Sequence, residues 1–68
     1  MPTVMQRVAR NVKRLRSEHG LSQQALADKA EIHRVYLARI EGAVKAPSLE
    51  VLERLAKALK VKVGRLLE

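Results

Sequence analysis

Cysteine, phenylalanine and tryptophan are absent from the 68 residues, and Tyr36 is the only tyrosine. Without thiols there is no disulfide and no thiolate metal site, and two histidines, His19 and His33, are too few for a structural zinc site. No metal or cofactor is therefore expected. The shortage of aromatics argues against RNA or single-strand recognition, which relies on stacked bases, and against a membrane-surface helix anchored by Trp or Phe. No apolar run is long enough to span a bilayer. Residues 1–16 carry basic side chains throughout with no apolar core, so no signal peptide is expected and the chain reads as cytoplasmic. Enzyme features are missing too. There is no glycine-rich phosphate loop and no triad-like spacing, and Ser17, Glu18 and His19 are neighbours whose side chains diverge around a helix. The chain has no room for an effector domain, so no small-molecule ligand is expected.

What the chain has is positive charge. Its 14 Lys and Arg stand against 7 Asp and Glu, a formal +7, with an isoelectric point near 10.6. Such an excess favours a polyanionic partner through counterion release and long-range attraction. With membrane surfaces and single strands disfavoured, double-stranded DNA is the expected partner. At this length one domain, 1–68, is expected, and it buries only about 60% of its unfolded surface. Stability must then come from regular helix packing or from a second subunit.

Spacings of three and four run through the chain and predict an all-α bundle of five helices. Val4, Met5, Val8, Ala9, Val12 and Leu15 form the first stripe, entered at Pro2 and Thr3 and stopped by Gly20. Ser22 is the expected N-cap of the second helix, with Leu26 and Ala30 on one face and the small Ala27 beside them. A turn of three or four residues around Glu31 leads into the third helix, which makes a compact helix-turn-helix unit over 23–42. At about 100° per residue, Leu37 and Ile40 point to the core, and Arg34, Val35, Ala38 and Arg39 fan across the opposite side. Two arginines around a small alanine and a β-branched valine suit the major groove. Arg donates two hydrogen bonds to guanine, valine methyls meet a thymine methyl, and alanine permits close approach. Pro47 and Ser48 open the fourth helix, with Leu49, Leu52, Leu55, Ala56 and Leu59 as its stripe and Glu50–Arg54 and Glu53–Lys57 as supporting pairs. Val61, Val63, Leu66 and Leu67 form a short fifth helix. A bundle this small is not expected to cover every leucine. The region 49–67 is therefore expected to carry a homodimer interface through Leu49, Leu52, Val63, Leu66 and Leu67.

The segments GLSQQALADKA, HRVYLARIEG and PSLEVLERLAKALKV, in that order, resemble the lambda-repressor/Cro-like helix-turn-helix regulators, the xenobiotic-response-element family. The resemblance covers roughly Val8 to Leu67. Ala27 falls on the family's small position, and Leu26, Ala30, Ile32, Leu37 and Ile40 fall on its apolar ones. It implies that Gln23 binds a DNA phosphate at the start of the second helix, with Ser22 and His33 beside the backbone as well. It further implies that Arg34, Val35 and Arg39 are recognition residues, that Tyr36 packs against or touches the DNA backbone, and that Lys45 meets phosphate or base edges. Arg16 and Glu41 occupy the positions of an ion pair tying the first helix to the end of the third. The departures are Glu31 in place of a turn glycine, His33 in place of a Ser or Thr cap, and Lys60 and Lys62 in place of a glycine stop and a serine cap. The expected function is a dimeric, sequence-specific DNA-binding transcription regulator acting on a near-palindromic operator. The alternative is an antitoxin or adaptor that binds a protein partner through helices 4 and 5.

Overall fold

Short polar side chains set where each helix begins. In the computed structural model, which describes residues 1–68, helix α1 (Val4–Glu18) opens on a reciprocal capping box. The Thr3 hydroxyl accepts from Gln6 N at 3.1 Å, and the Gln6 side chain accepts from Thr3 N at 2.9 Å. Ser22 caps α2 (Gln23–Ala30) and Ser48 caps α4 (Leu49–Ala58) in the same one-way manner, each accepting from the third residue on. The third helix, α3 (Arg34–Glu41), begins at His33, and the chain ends in α5 (Val63–Leu67).

The helix ends share one device. Helices α1, α2, α3 and α4 each close with a backbone N–H bonded five residues back, from Leu21 to Arg16, Ile32 to Ala27, Val44 to Arg39 and Val61 to Ala56. Each closure turns on a left-handed residue: Gly20, Glu31, Ala43 and Lys60, with φ of 67°, 58°, 57° and 59°. Only the first is glycine, so three L-residues accept conformational strain at these ends.

Leu26, Leu37, Ile40, Leu55, Leu59 and Leu66 fill the centre, ringed by Val8, Val12 and Leu15 of α1. Helix α1 packs on α3 and α5, α2 on α3 and α4, and α4 on α5. Several expectations are corrected. Val4 is exposed, because the first turn of α1 overhangs the core. Leu49, the first residue of α4, is 79% exposed, and Val51 in the same turn is buried instead. The Glu50–Arg54 pair forms at 2.9 Å, whereas Glu53 and Lys57 do not pair. Leu66 is 0% exposed and Leu52 nearly so, which makes both part of the subunit's own core rather than a ready contact for a second copy. The bundle covers more of its leucines than expected because the tail folds back onto α1. Asn11 Nδ2 donates to Leu66 O at 3.0 Å, Arg7 Nε to Leu67 O at 3.1 Å and Arg10 Nη2 to Glu68 O at 3.4 Å.

Candidate nucleic-acid interface

Helix α3 is fixed at both ends and along its inner face, and this decides which side chains remain outside. Its inner face is Leu37 and Ile40, both buried. At its C-terminal end the Glu41 carboxylate, only 3% exposed, takes a fork from Arg16: Nε to Oε2 at 2.7 Å and Nη2 to Oε1 at 3.0 Å. The remaining Arg16 nitrogen, Nη1, donates to Leu21 O at 2.8 Å, and Gln23 Nε2 donates to Glu41 Oε1 at 3.1 Å. One carboxylate on α3 thus gathers α1 and the start of α2. The hydrogen bond to Glu41, aided by its charge, outweighs burial and holds the Arg16 guanidinium above its ordinary pKa, so it stays protonated.

At the N-terminal end His33 serves as the cap, its Nδ1 accepting from Val35 N at 3.1 Å. The ring supplies the acceptor that Ser or Thr usually provides, which leaves Nε2 as the protonated nitrogen of the neutral imidazole. Three residues, 31–33, separate α2 from α3, and the missing turn glycine is replaced by Glu31 in the left-handed conformation. Tyr36, half-buried on the flank, accepts from Ser48 N at 3.4 Å through its hydroxyl and so ties α3 to the start of α4.

With those contacts made, Arg34, Val35 and Arg39 stand exposed on the outer side of α3, and Ala38 is half-buried among them. Val35 is 42% exposed and lies outside the core. Neither arginine has a carboxylate within ion-pair distance, and the same is true of Lys45 in the loop after α3. At the start of α2 the Ser22 hydroxyl is occupied as a cap and the Gln23 amide nitrogen is bonded to Glu41, but the backbone N–H groups of Gln23 and Gln24 have no partner in the protein. Two unpaired N–H groups at a helix start are suited to an anion. The structure therefore brings Arg34, Val35, Ala38 and Arg39 onto one surface, and it gives Gln23 a bracing role in addition to the one expected for it. Sequence reasoning missed Asn11, which is 1% exposed. Its signal was its spacing, three after Val8 and four before Leu15, on the apolar stripe.

The arrangement defines a class: a small all-helical domain built around a helix-turn-helix unit whose second helix presents an unpaired, partly basic face. The chain belongs to the helix-turn-helix family, whose profile matches residues 12–66. It is 44% identical over 57 residues to the immunity repressor protein of Bacillus phage phi105, a match covering 84% of this chain and 40% of the repressor. To the control protein C.SmaI of Serratia marcescens it is 38% identical over 60 residues, covering 88% of this chain and 71% of that protein. The chain thus spans less than half the length of the phage repressor it matches. Among solved structures, SinR of Bacillus subtilis, a master regulator for biofilm formation crystallised in complex with DNA, superposes with a TM-score of 0.86 at 35% identity, covering 90% of this chain and 98% of that one. These relatives are a repressor, a control protein and a transcriptional regulator. No helix here is long and apolar enough to cross a membrane.

Proposed function

We propose that this protein is a sequence-specific, double-stranded DNA-binding transcription regulator that acts in the cytoplasm as a homodimer on a near-palindromic operator. The observation that carries the reading is the outer face of α3. Arg34, Val35, Ala38 and Arg39 are held there without internal partners on a helix locked at both ends. Arg34 and Arg39 read guanine edges, Val35 meets a thymine methyl, and Ala38 lets the helix sit deep in the groove. The free N–H groups of Gln23 and Gln24 take one phosphate, with Ser22 and His33 close to the backbone, and Lys45 and Tyr36 lie along the other side. SinR, of the same family, has been crystallised on DNA, which supports the same partner here. Two such helices in one dimer enter successive major grooves about 34 Å apart. The side chains still available for the subunit contact are Leu49, Val63 and Leu67, with Leu52 and Leu66 behind them in the core. An adaptor that binds partners through α4 and α5 would have to use the same reduced surface. Selection of binding sites from random duplex DNA at two salt concentrations tests the proposal. A motif with two related half-sites is expected, and the absence of any enriched motif would refute it.

A further inference from the structure

Away from the α3 face, a cleft of about 520 Å³ opens where the C-terminal ends of α2 and α4 come together. Lys29, Arg54, Lys57 and Lys60 line its walls, Ala30 and Ala58 form its floor, and Glu31 is its only carboxylate. Arg54 is already committed, Nη2 to Glu50 Oε1 at 2.9 Å and Nη1 to Glu31 O at 3.3 Å. The three lysines have no carboxylate within 4.0 Å, and Glu53, four residues before Lys57, does not take it. Three lysines without ion pairs thus share one cleft with the single carboxylate of Glu31.

Two further features narrow what such a cleft accepts. Glu31 and Lys60, which both line it, are the left-handed residues that end α2 and α4. Glycine would be less strained at position 60, yet a lysine stands there and extends the cationic wall. Small-molecule sites are mostly apolar with a few polar groups, whereas this lining is mostly charged around two alanines. No group of three His, Cys, Asp or Glu that would hold a metal is present. A compact phosphate prefers backbone N–H groups at a helix start, and the unpaired ones of α2 lie at its other end, about 12 Å away along an eight-residue helix. Flexible lysines on the wall of an open cleft, each without an ion pair, match instead a series of separate single charges.

We propose that this cleft docks an acidic segment of a protein partner, with successive Asp or Glu carboxylates pairing with Lys29, Lys57 and Lys60. The inference is independent of the DNA reading. The test is amide chemical-shift mapping of the full chain with hexaglutamate as the probe at low salt. Shifts are expected at residues 29–31 and 57–61, and they should collapse near 0.5 M salt, where the screening length is only about 4 Å. Lys29→Gln with Lys57→Gln should weaken binding about tenfold, the combined loss of two exposed ion pairs. Lys60→Gly supplies a variant whose folding is not in question. It should raise the melting temperature and still weaken hexaglutamate binding about threefold, on the scale of one exposed ion pair. Affinity for a short random-sequence duplex should fall only slightly in the double variant, through the loss of two charges at long range, and its salt slope should be unchanged. The proposal is overturned if hexaglutamate does not bind, or if its shifts fall on residues 34–39 and 45 and are indifferent to the substitutions. It is equally overturned if the double variant loses duplex affinity with a shallower salt slope, which would make the cleft a phosphate contact.

Discussion

Replacing Glu31 by glycine is expected to stabilise the domain by about 1 kcal/mol, as the following contributions indicate. Glu31 sits at φ 58° and ψ 45°, where an L-residue carries roughly 1–2 kcal/mol of strain. Glycine removes that strain and gives back about 0.5–1 kcal/mol through its larger freedom in the unfolded chain. Removing a carboxylate from the negative end of α2 adds a few tenths of a kcal/mol, which the lost attraction of Glu31 to the cations of its cleft offsets on a similar scale. The Glu31 side chain makes no hydrogen bond or ion pair, and the bonds that define the turn, Ile32 N to Ala27 O at 2.9 Å and Arg54 to Glu31 O, use backbone atoms that glycine retains. For a domain of this size the gain corresponds to a rise of about 5 °C in melting temperature, followed by circular dichroism at 222 nm. Glu31→Ala is the control, since it removes the charge and keeps the strain. The reasoning fails if the glycine variant is no more stable than the alanine one.

Arg16→Ala should cost about 3 kcal/mol in urea denaturation, because it leaves the buried Glu41 carboxylate unpaired; a loss under about 1 kcal/mol would contradict this. Arg16→Lys should restore little, since an ammonium cannot reproduce the fork to Glu41 and the bond to Leu21 together. A raised pKa in the folded state means that the Arg16 contribution is complete below arginine's ordinary value and is lost only as pH climbs through the raised one. The Arg16–Glu41 coupling in a double-mutant cycle should therefore stay constant from neutrality to about pH 10, and a decline there would refute the assignment. Asn11→Asp should destabilise by at least about 2 kcal/mol, because it removes the donor to Leu66 O and sets acceptor against acceptor in a buried place. Arg34→Ala should weaken binding to selected DNA by about 1–3 kcal/mol and relax preference at one base position; equal losses on selected and random DNA would remove Arg34 from the reading role.

The helices were legible because the signals that make them are local. Thr3, Ser22 and Ser48 cap where their hydroxyls reach backbone N–H groups a turn ahead, and spacings of three and four place Val8, Val12, Leu26, Leu37, Leu55 and Leu59 on inner faces. What escaped depended on the third dimension. Periodicity places Leu49 and Val51 at opposite edges of the α4 stripe, and only the packing of α4 against α2 and α5 decides that Leu49 is outside. The polar Asn11 looks like an interruption of its stripe until the C-terminal carbonyl it serves is folded over it. Gln23 looked like a free DNA contact, because nothing in its neighbourhood along the chain announces Glu41, eighteen residues on. The left-handed end at Ala43 escaped because it is not glycine, whereas Lys60 was visible only as a departure from a glycine stop, and the i−5 bonds that hold both appear only once the helices have stopped.

The clasp between the two ends of the chain governs the order of assembly. Asn11 and Leu66 are 55 residues apart in a chain of 68, and α5 has five residues, too few to hold a helix alone in water. During synthesis α1 emerges first, yet it waits for its last neighbour until residue 66 has cleared the ribosome, so the finished subunit forms only after that point. Seen from the folded side, a five-residue terminal helix held by this clasp is expected to let go first. Amide protons of α5 should exchange ahead of those in α2 and α3, so that the tail opens while the helix-turn-helix is still folded.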